Sequence, residues 1–238
     1  MIIADDYGDN IADDKVIIDL LNKKNIGGTS ILIKNIDNVS INLITNRKDG
    51  LIGLHLDLDI NPLESIILSK DAKKLIEQDI IKQVDKFKFH FNKYPDFIDG
   101  HRHVHSYFNI QEILIKVLLN INFNGFVRVS AEDMSIRNLK SLYKRGSLLK
   151  GVFISLLSKI LAKKLKKNQI RHNKKFLGFY DLANTINTKN SFSEIMSLYD
   201  GDCLCMVHPG AISSFEDDHR HSSINRKFEA DFLMKHSK

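Results

Sequence analysis

Four short apolar runs in this 238-residue chain end on, or carry, acid and imidazole groups. This recurrence limits the fold more than any other feature. Met1–Ala4 runs into Asp5-Asp6-Tyr7-Gly8, and Leu51–Leu56 carries His55. Phe97–Asp99 runs into Gly100-His101-Arg102-His103-Val104-His105, and Cys203–Val207 into His208-Pro209-Gly210. Ser30–Ile33 and Phe126–Val129 are two further strand-like runs. Between them, Asp13–Lys24, Ser69–Phe91 and Ile110–Leu119 space their apolar residues at the helical period, and Gly27-Gly28 stops the first of these. Strands alternating with helices predict βαβ units and a parallel sheet. Polar clusters that follow strands fit the C-terminal face of a β/α barrel, where strand ends and their loops converge. The expectation is an α/β fold: a TIM-like β/α-barrel variant of eight strands or fewer, forming a single domain over 1–238.

Bulk properties narrow the class. A chain of this length can bury roughly 70–75% of its unfolded surface in one domain. The start has no basic region followed by an apolar run of secretory length, and no stretch of about 18 apolar residues is present. Cys203 and Cys205, two apart, read as small core hydrophobes in a reducing compartment. These features predict a cytoplasmic protein. Thirteen of the 35 basic residues fall between Met134 and Tyr180, a stretch with none of the 29 acidic ones. The basic excess is therefore local, and general polyanion or nucleic-acid binding is not expected.

The polar clusters suggest a metal centre. A divalent catalytic ion commonly takes three His or carboxylate ligands and leaves a position open, and Asp6, His55 and His101 can supply that set. Neighbouring strand residues point to opposite sides, so Asp5 and Asp6 are not both expected to be ordinary ligands: one can hold the metal while the other faces the bound water as a base. Each cluster alone has a plainer reading: a turn for Asp-Asp-Tyr-Gly and for His-Pro-Gly, core packing for His55. His101, His103 and His105 would share one face if extended, so His103 and His105 are expected to contact substrate or to orient a ligand. Arg128 can pair with a substrate group, tune Asp5, or serve as a structural ion pair. With no Trp in the chain, Tyr7, Tyr107 and Phe108 are the aromatic candidates for a sugar face.

Together these segments resemble the YdjC-like carbohydrate deacetylases. The resemblance rests on Ala4–Gly8, Gly53-Leu54-His55, Asp99–His105 and His208–Gly210, in order along nearly the whole chain. Smaller echoes lie at Gly28-Thr29-Ser30, Val127-Arg128, and Arg226 with Glu229. The resemblance implies a β/α-barrel variant and one divalent metal ion held by Asp6, His55 and His101; that Asp/His set suits zinc and also permits magnesium, manganese or cobalt. It further implies Asp5 as general base and His208 as general acid, acting on an N-acetylated sugar or oligosaccharide. The chain departs from that pattern at Tyr7, where Phe is usual, at Ile3, where Asn is common, and at Ser106-Tyr107-Phe108, where relatives often place Pro.

A basic amphipathic segment at about 144–175 remains. Phe153, Leu156, Leu157, Ile160, Leu161 and Leu165 form one helical stripe, with Lys159, Lys163, Lys166 and Lys167 largely outside it. This predicts a barrel-covering helix with a solvated basic face, or an interfacial helix that contacts anionic lipid and brings a lipid-linked sugar to the site. A homodimer is compatible with the sequence. Two rival functions fit the same residues: a metal phosphoesterase or amidohydrolase, and a catalytically silent barrel that binds glycans or membranes.

Overall fold

The computed structural model describes residues 1–181, 188–212 and 223–235. Eight strands form one parallel sheet that curls into a half-barrel, in the order β6-β5-β4-β3-β2-β1-β8-β7. They are β1 Ile2–Tyr7, β2 Gly28–Ile31, β3 Leu51–Leu56, β4 Phe97–Gly100, β5 Phe126–Val127, β6 Arg171–His172, β7 Phe176–Leu177 and β8 Leu204–Val207. Every ladder is parallel. Strands buried on both faces read as continuous apolar runs, which is why six of the eight are visible in the sequence. β6 and β7 are two-residue strands with no periodicity to detect.

Those two short strands are the sheet's edges, although they follow each other in the chain. The join between them is made by a side chain. Asn173 Oδ1 accepts the Val129 N–H at 2.7 Å, and its Nδ2 donates to the carbonyls of Val129 (2.9 Å) and Lys175 (3.0 Å). Val129 thus bonds to an amide side chain in place of a strand, so β5 stops at Val127 where the apolar run predicts Val129.

Helices cover the strands. α1 (Ile11–Asn22), α2 (Asn38–Thr45), α3 (Lys70–Phe91) and α5 (Ile136–Lys144) each begin behind a capping residue. These are Asn10, Asp37, Ser69 and Ser135, whose side chains accept a backbone N–H of the first turn. α4 is Ile110–Asn120, α6 Leu148–Lys167, α7 Thr188–Leu198 and α8 Ser223–Lys235. Gly53 permits close strand packing: a Cβ there would stand 2.3 Å from the Phe97 ring on the neighbouring strand. Both cysteines are free and buried. None of the described helices is long and apolar enough to cross a membrane.

α6 corrects the predicted stripe. Its buried face is Gly151, Ile154, Ser155, Leu157, Ser158, Leu161 and Leu165, whereas Phe153, Leu156 and Ile160 point outward. Two serines and a glycine form part of the inward face because α6 packs close against the turn after β4. Ser158 Oγ lies 2.9 Å from Ser106 Oγ, and Gln111 Nε2 donates to the Leu157 carbonyl at 3.1 Å.

Candidate metal centre

Asp6 anchors the site through an irregularity in β1. Its φ of 64° is left-handed, and the β1–β2 register shifts between Ala4 and Tyr7. The strand's alternation is therefore broken where the two acids meet, and both Asp5 and Asp6 line the same cleft. Asp6 Oδ1 lies 3.4 Å from His55 Nε2, supplied by β3, and 3.1 Å from His101 Nδ1, at the end of β4. The three side chains can bring one ligand atom each within 4.8 Å of one another. Asp6 and His55 are buried and His101 is half-buried.

A second carboxylate orients His55. Parallel register places His55 beside Asp99, and His55 Nδ1 lies 2.6 Å from Asp99 Oδ1. Ser30 Oγ donates to the same oxygen. An Nδ1–H held by Asp99 leaves the Nε2 lone pair facing Asp6, the arrangement that metal-binding histidines use to fix tautomer and basicity. Asp99 also lies 2.9 Å from Arg128 Nη1. The sequence places Asp99 at a strand end, but only strand register makes it the partner of His55. Asp99→Asn is expected to weaken divalent-metal affinity by roughly 10–100-fold, measured by titration calorimetry; unchanged affinity would remove Asp99 from the support of the site.

Electrostatics favour a cation here. Burial disfavours a charged His55, yet the charges of Asp99 and Asp5 with the Asp6 hydrogen bond outweigh burial and push the imidazole up to about 10. Burial would raise Asp6, but hydrogen bonds from His101 and His55 and the charge of Arg226 hold it well below the usual carboxylate range. Asp99 goes to about 2, with Arg128 and His55 overcoming its burial. Three buried carboxylates thus draw a positive charge into the gap between the imidazoles. A divalent ion with neutral His55 meets the same demand.

Asp5 and Arg128 form a fork on the other side. Arg128 Nη1 and Nη2 donate to Asp5 Oδ1 and Oδ2 at 2.6 and 2.7 Å, and both residues are buried. Burial raises the Asp5 pKa against the pull of Arg128 and His55. Arg128 faces Asp5 and Asp99 and does not line the cleft.

His208 follows β8 and lines the cleft. Its N–H donates to Glu229 Oε2 at 2.6 Å. One turn earlier on α8, Arg226 donates to Asp6 Oδ2 at 3.0 Å and to Asp13 Oδ2 at 3.1 Å. Asp13 Oδ1 accepts the Ala211 N–H at 2.7 Å. A Cβ on Gly210 would meet that carboxylate at 2.4 Å, so His-Pro-Gly ends in the residue that lets Asp13 approach. Arg226 and Glu229 thus tie a helix at the chain's end to β1 and β8.

Burial raises Glu229 well above the ordinary carboxyl range; the His208 N–H pulls it back only partly, and Asp5 adds to the rise. The folded chain therefore holds this proton more tightly than the unfolded chain. Its stabilising contribution is full below the unfolded pKa and is lost as pH rises through the folded one. Glu229→Gln is expected to lose less stability than wild type between about pH 5 and about pH 8, read by urea unfolding; parallel pH profiles would refute this.

The remaining expected contacts divide. His103 lines the cleft, with Nδ1 3.1 Å from Ser130 Oγ and its ring edge-on to Phe179. His105 does not reach the cleft: its Nε2 donates to the Arg128 carbonyl at 2.9 Å, and burial lowers its pKa to about 3. The segment is not extended, because Arg102 and His103 adopt left-handed φ values of 53° and 61° in a tight turn that separates the rings. Tyr7 and Tyr107 do not line the cleft either. The Tyr7 hydroxyl donates to the Ser40 carbonyl at 2.6 Å, and that of Tyr107 to the Arg102 carbonyl at 2.9 Å, bracing the turn.

Sequence reasoning missed the wall opposite. Gly178, Phe179 and Tyr180 follow β7, and with Met206 and Lys150 they complete the cleft. A buried clamp holds this wall. Glu132 Oε1 accepts the N–H groups of Gly178 (3.0 Å) and Phe179 (2.9 Å), and Arg145 joins Glu132 Oε2 (2.7 Å) to the Phe179 carbonyl (2.7 Å). The cleft holds about 60 Å³. Larger cavities of about 660 and 730 Å³ lie elsewhere and include none of the cluster.

The fold and site define a β/α-barrel protein with a carboxylate–imidazole cluster at its strand ends that can hold a divalent ion. A profile of the family described as YdjC-like protein matches residues 1–237, and the chain belongs to that family. No curated protein matches. Among solved structures, a protein of Enterococcus faecalis V583, described as a candidate cellobiose-phosphate cleavage protein, superimposes with a TM-score of 0.66 at 15% identity. The match covers 98% of this chain and 89% of that one, and at that identity it speaks for the fold.

Proposed function

We propose that the protein is a metal-dependent carbohydrate N-deacetylase that releases acetate from an N-acetylated amino sugar or oligosaccharide. The observation that carries this reading is the pairing of the Asp6–His55–His101 set with a separate buried carboxylate, Asp5, in one very small cleft. An acetamido group can enter such a space while the sugar ring stays at the mouth. Magnesium or zinc held by Asp6, His55 and His101 supplies Lewis acidity toward the amide carbonyl and activation of water.

The chain's own groups do the rest. Asp5, raised by burial, is a stronger base than a surface carboxylate and takes the proton of the attacking water. Arg128 holds both Asp5 oxygens and fixes their direction. Protonated His208 donates to the leaving amine nitrogen, and its backbone is pinned by Glu229. Phe179, Tyr180 and Met206 offer an apolar wall to the acetyl methyl, and His103, kept neutral by burial, faces the same space.

The test is acetate release from N-acetylated oligosaccharides and UDP-N-acetyl sugars, with and without divalent metal, beside a parallel assay for phosphate release from sugar phosphates. Metal-dependent acetate release is the expected result. Phosphate release without acetate would replace the reading with a phosphoesterase. Neither product, with no metal bound, would leave a binding protein.

A further inference from the structure

The outward face of α6 is apolar where a barrel-covering helix is ordinarily polar. Leu149, Phe153, Leu156 and Ile160 recur at i, i+4, i+7 and i+11 and are 86, 44, 53 and 37% exposed. The opposite face of the same helix is buried on the barrel, so the strip is a second apolar surface and not a misplaced core. Lys163 and Lys167 continue it toward the C-terminus, with Lys159 and Lys166 beside it. None of these four lysines is in an ion pair among the described residues. From Met134 to Tyr180 there is no carboxylate side chain, and Glu112 of α4 pairs with Lys164 of α6 at 3.0 Å.

The strip adjoins the candidate active site. Lys150, next to Leu149, lines the cleft. Ile66, Ile67 and Phe108, also exposed, lie on loops leaving β3 and β4 at the same end of the barrel. Asn109 Nδ2 joins those loops by donating to the carbonyls of Ser65 (2.7 Å) and Ile66 (3.1 Å).

We propose that this face is an interfacial docking surface for an anionic lipid membrane, with the apolar strip among the acyl chains, the lysines at the headgroups and the cleft mouth at the membrane edge. Charge complementarity selects this occupant. A second copy related by a two-fold axis would set one lysine rim against another, whereas anionic lipid attracts every lysine in the rim, by an amount that falls with added salt. The surface does not depend on the deacetylase reading, because binding is measured without turnover. A lipid-carried amino sugar as substrate would rest on both.

The experiment is co-sedimentation of the full chain with phosphatidylcholine vesicles and with vesicles containing phosphatidylglycerol. Phe153→Asp with Leu156→Asp forms one variant, and Lys159→Glu with Lys163→Glu and Lys167→Glu the other. Wild type is expected to bind only the anionic vesicles, and the charge-reversal variant to bind at least about a hundredfold more weakly. The aspartate variant should also stay in solution. Both should keep the wild-type melting temperature and turnover of a water-soluble substrate, since these side chains are exposed and none lines the cleft. Wild type remaining in solution with anionic vesicles, or variants binding like wild type, would overturn the proposal. So would a dimer that the aspartate variant dissociates, which would assign the face to a second copy.

Discussion

Asp6→Asn is expected to lose tight divalent-metal binding and to lower acetate release by roughly 10³-fold or more. Its carboxylate meets both imidazoles, at 3.4 and 3.1 Å, and is also paired with Arg226. Asparagine keeps the shape but removes the negative charge opposite His55 and His101. A site metal is worth several kcal/mol of transition-state charge stabilisation, and each 1.36 kcal/mol is a factor of ten. Metal content after dialysis and kcat on one substrate read the two effects separately. Loss of activity with metal retained would move Asp6 out of the ligand set; full activity would remove the cluster from the reaction.

Arg128→Met is expected to be the most destabilising single change at the site. Arg128 is fully buried and holds two buried carboxylates, Asp5 and Asp99. Removing one partner of such a group leaves uncompensated buried charge and costs about 3–5 kcal/mol. For a chain of this size that corresponds to a fall in melting temperature of roughly 6–20 °C. The deficit should shrink toward about pH 5, as the two orphaned carboxyls take up protons. Thermal unfolding at two pH values checks both parts. Asp5→Asn gives the contrast: it leaves Asp99 to pair with the arginine, so activity should fall further than stability. A melting temperature unchanged in Arg128→Met would mean that Asp5 is solvated and the fork is not a structural element.

Much of this could be read from one dimension. Apolar runs ending in acid or imidazole located β1, β3, β4 and β8 to within a few residues, because a parallel strand covered on both faces must be apolar throughout. α1, α3 and α4 were visible through period and stops. The candidate ligands stood out because Asp6, His55 and His101 interrupt those runs, where a polar group is costly unless it is paired.

Other features were hidden for physical reasons. β6 and β7 are too short for a pattern and depend on Asn173 as a side-chain substitute for a strand. Helical period showed one apolar stripe on α6 where the structure has a buried face and an exposed one, since Ser155 and Ser158 are buried by close helix approach. Left-handed turns at Asp6, Arg102 and His103 redirect side chains that alternation would have sent elsewhere. This is why Asp5 and Asp6 share a cleft while His105 leaves it.

The sequence by itself determined the parallel α/β architecture and the residue types available at the strand ends, because both follow from local burial and period. Only the tertiary structure decided their partners. It set Asp99 behind His55 through strand register, Arg128 between Asp5 and Asp99, and Arg226 on Asp6 from 220 residues further along the chain. Partnership between buried charges is a matter of ångströms, and those distances are set by how strands and helices pack across more than 200 residues of separation.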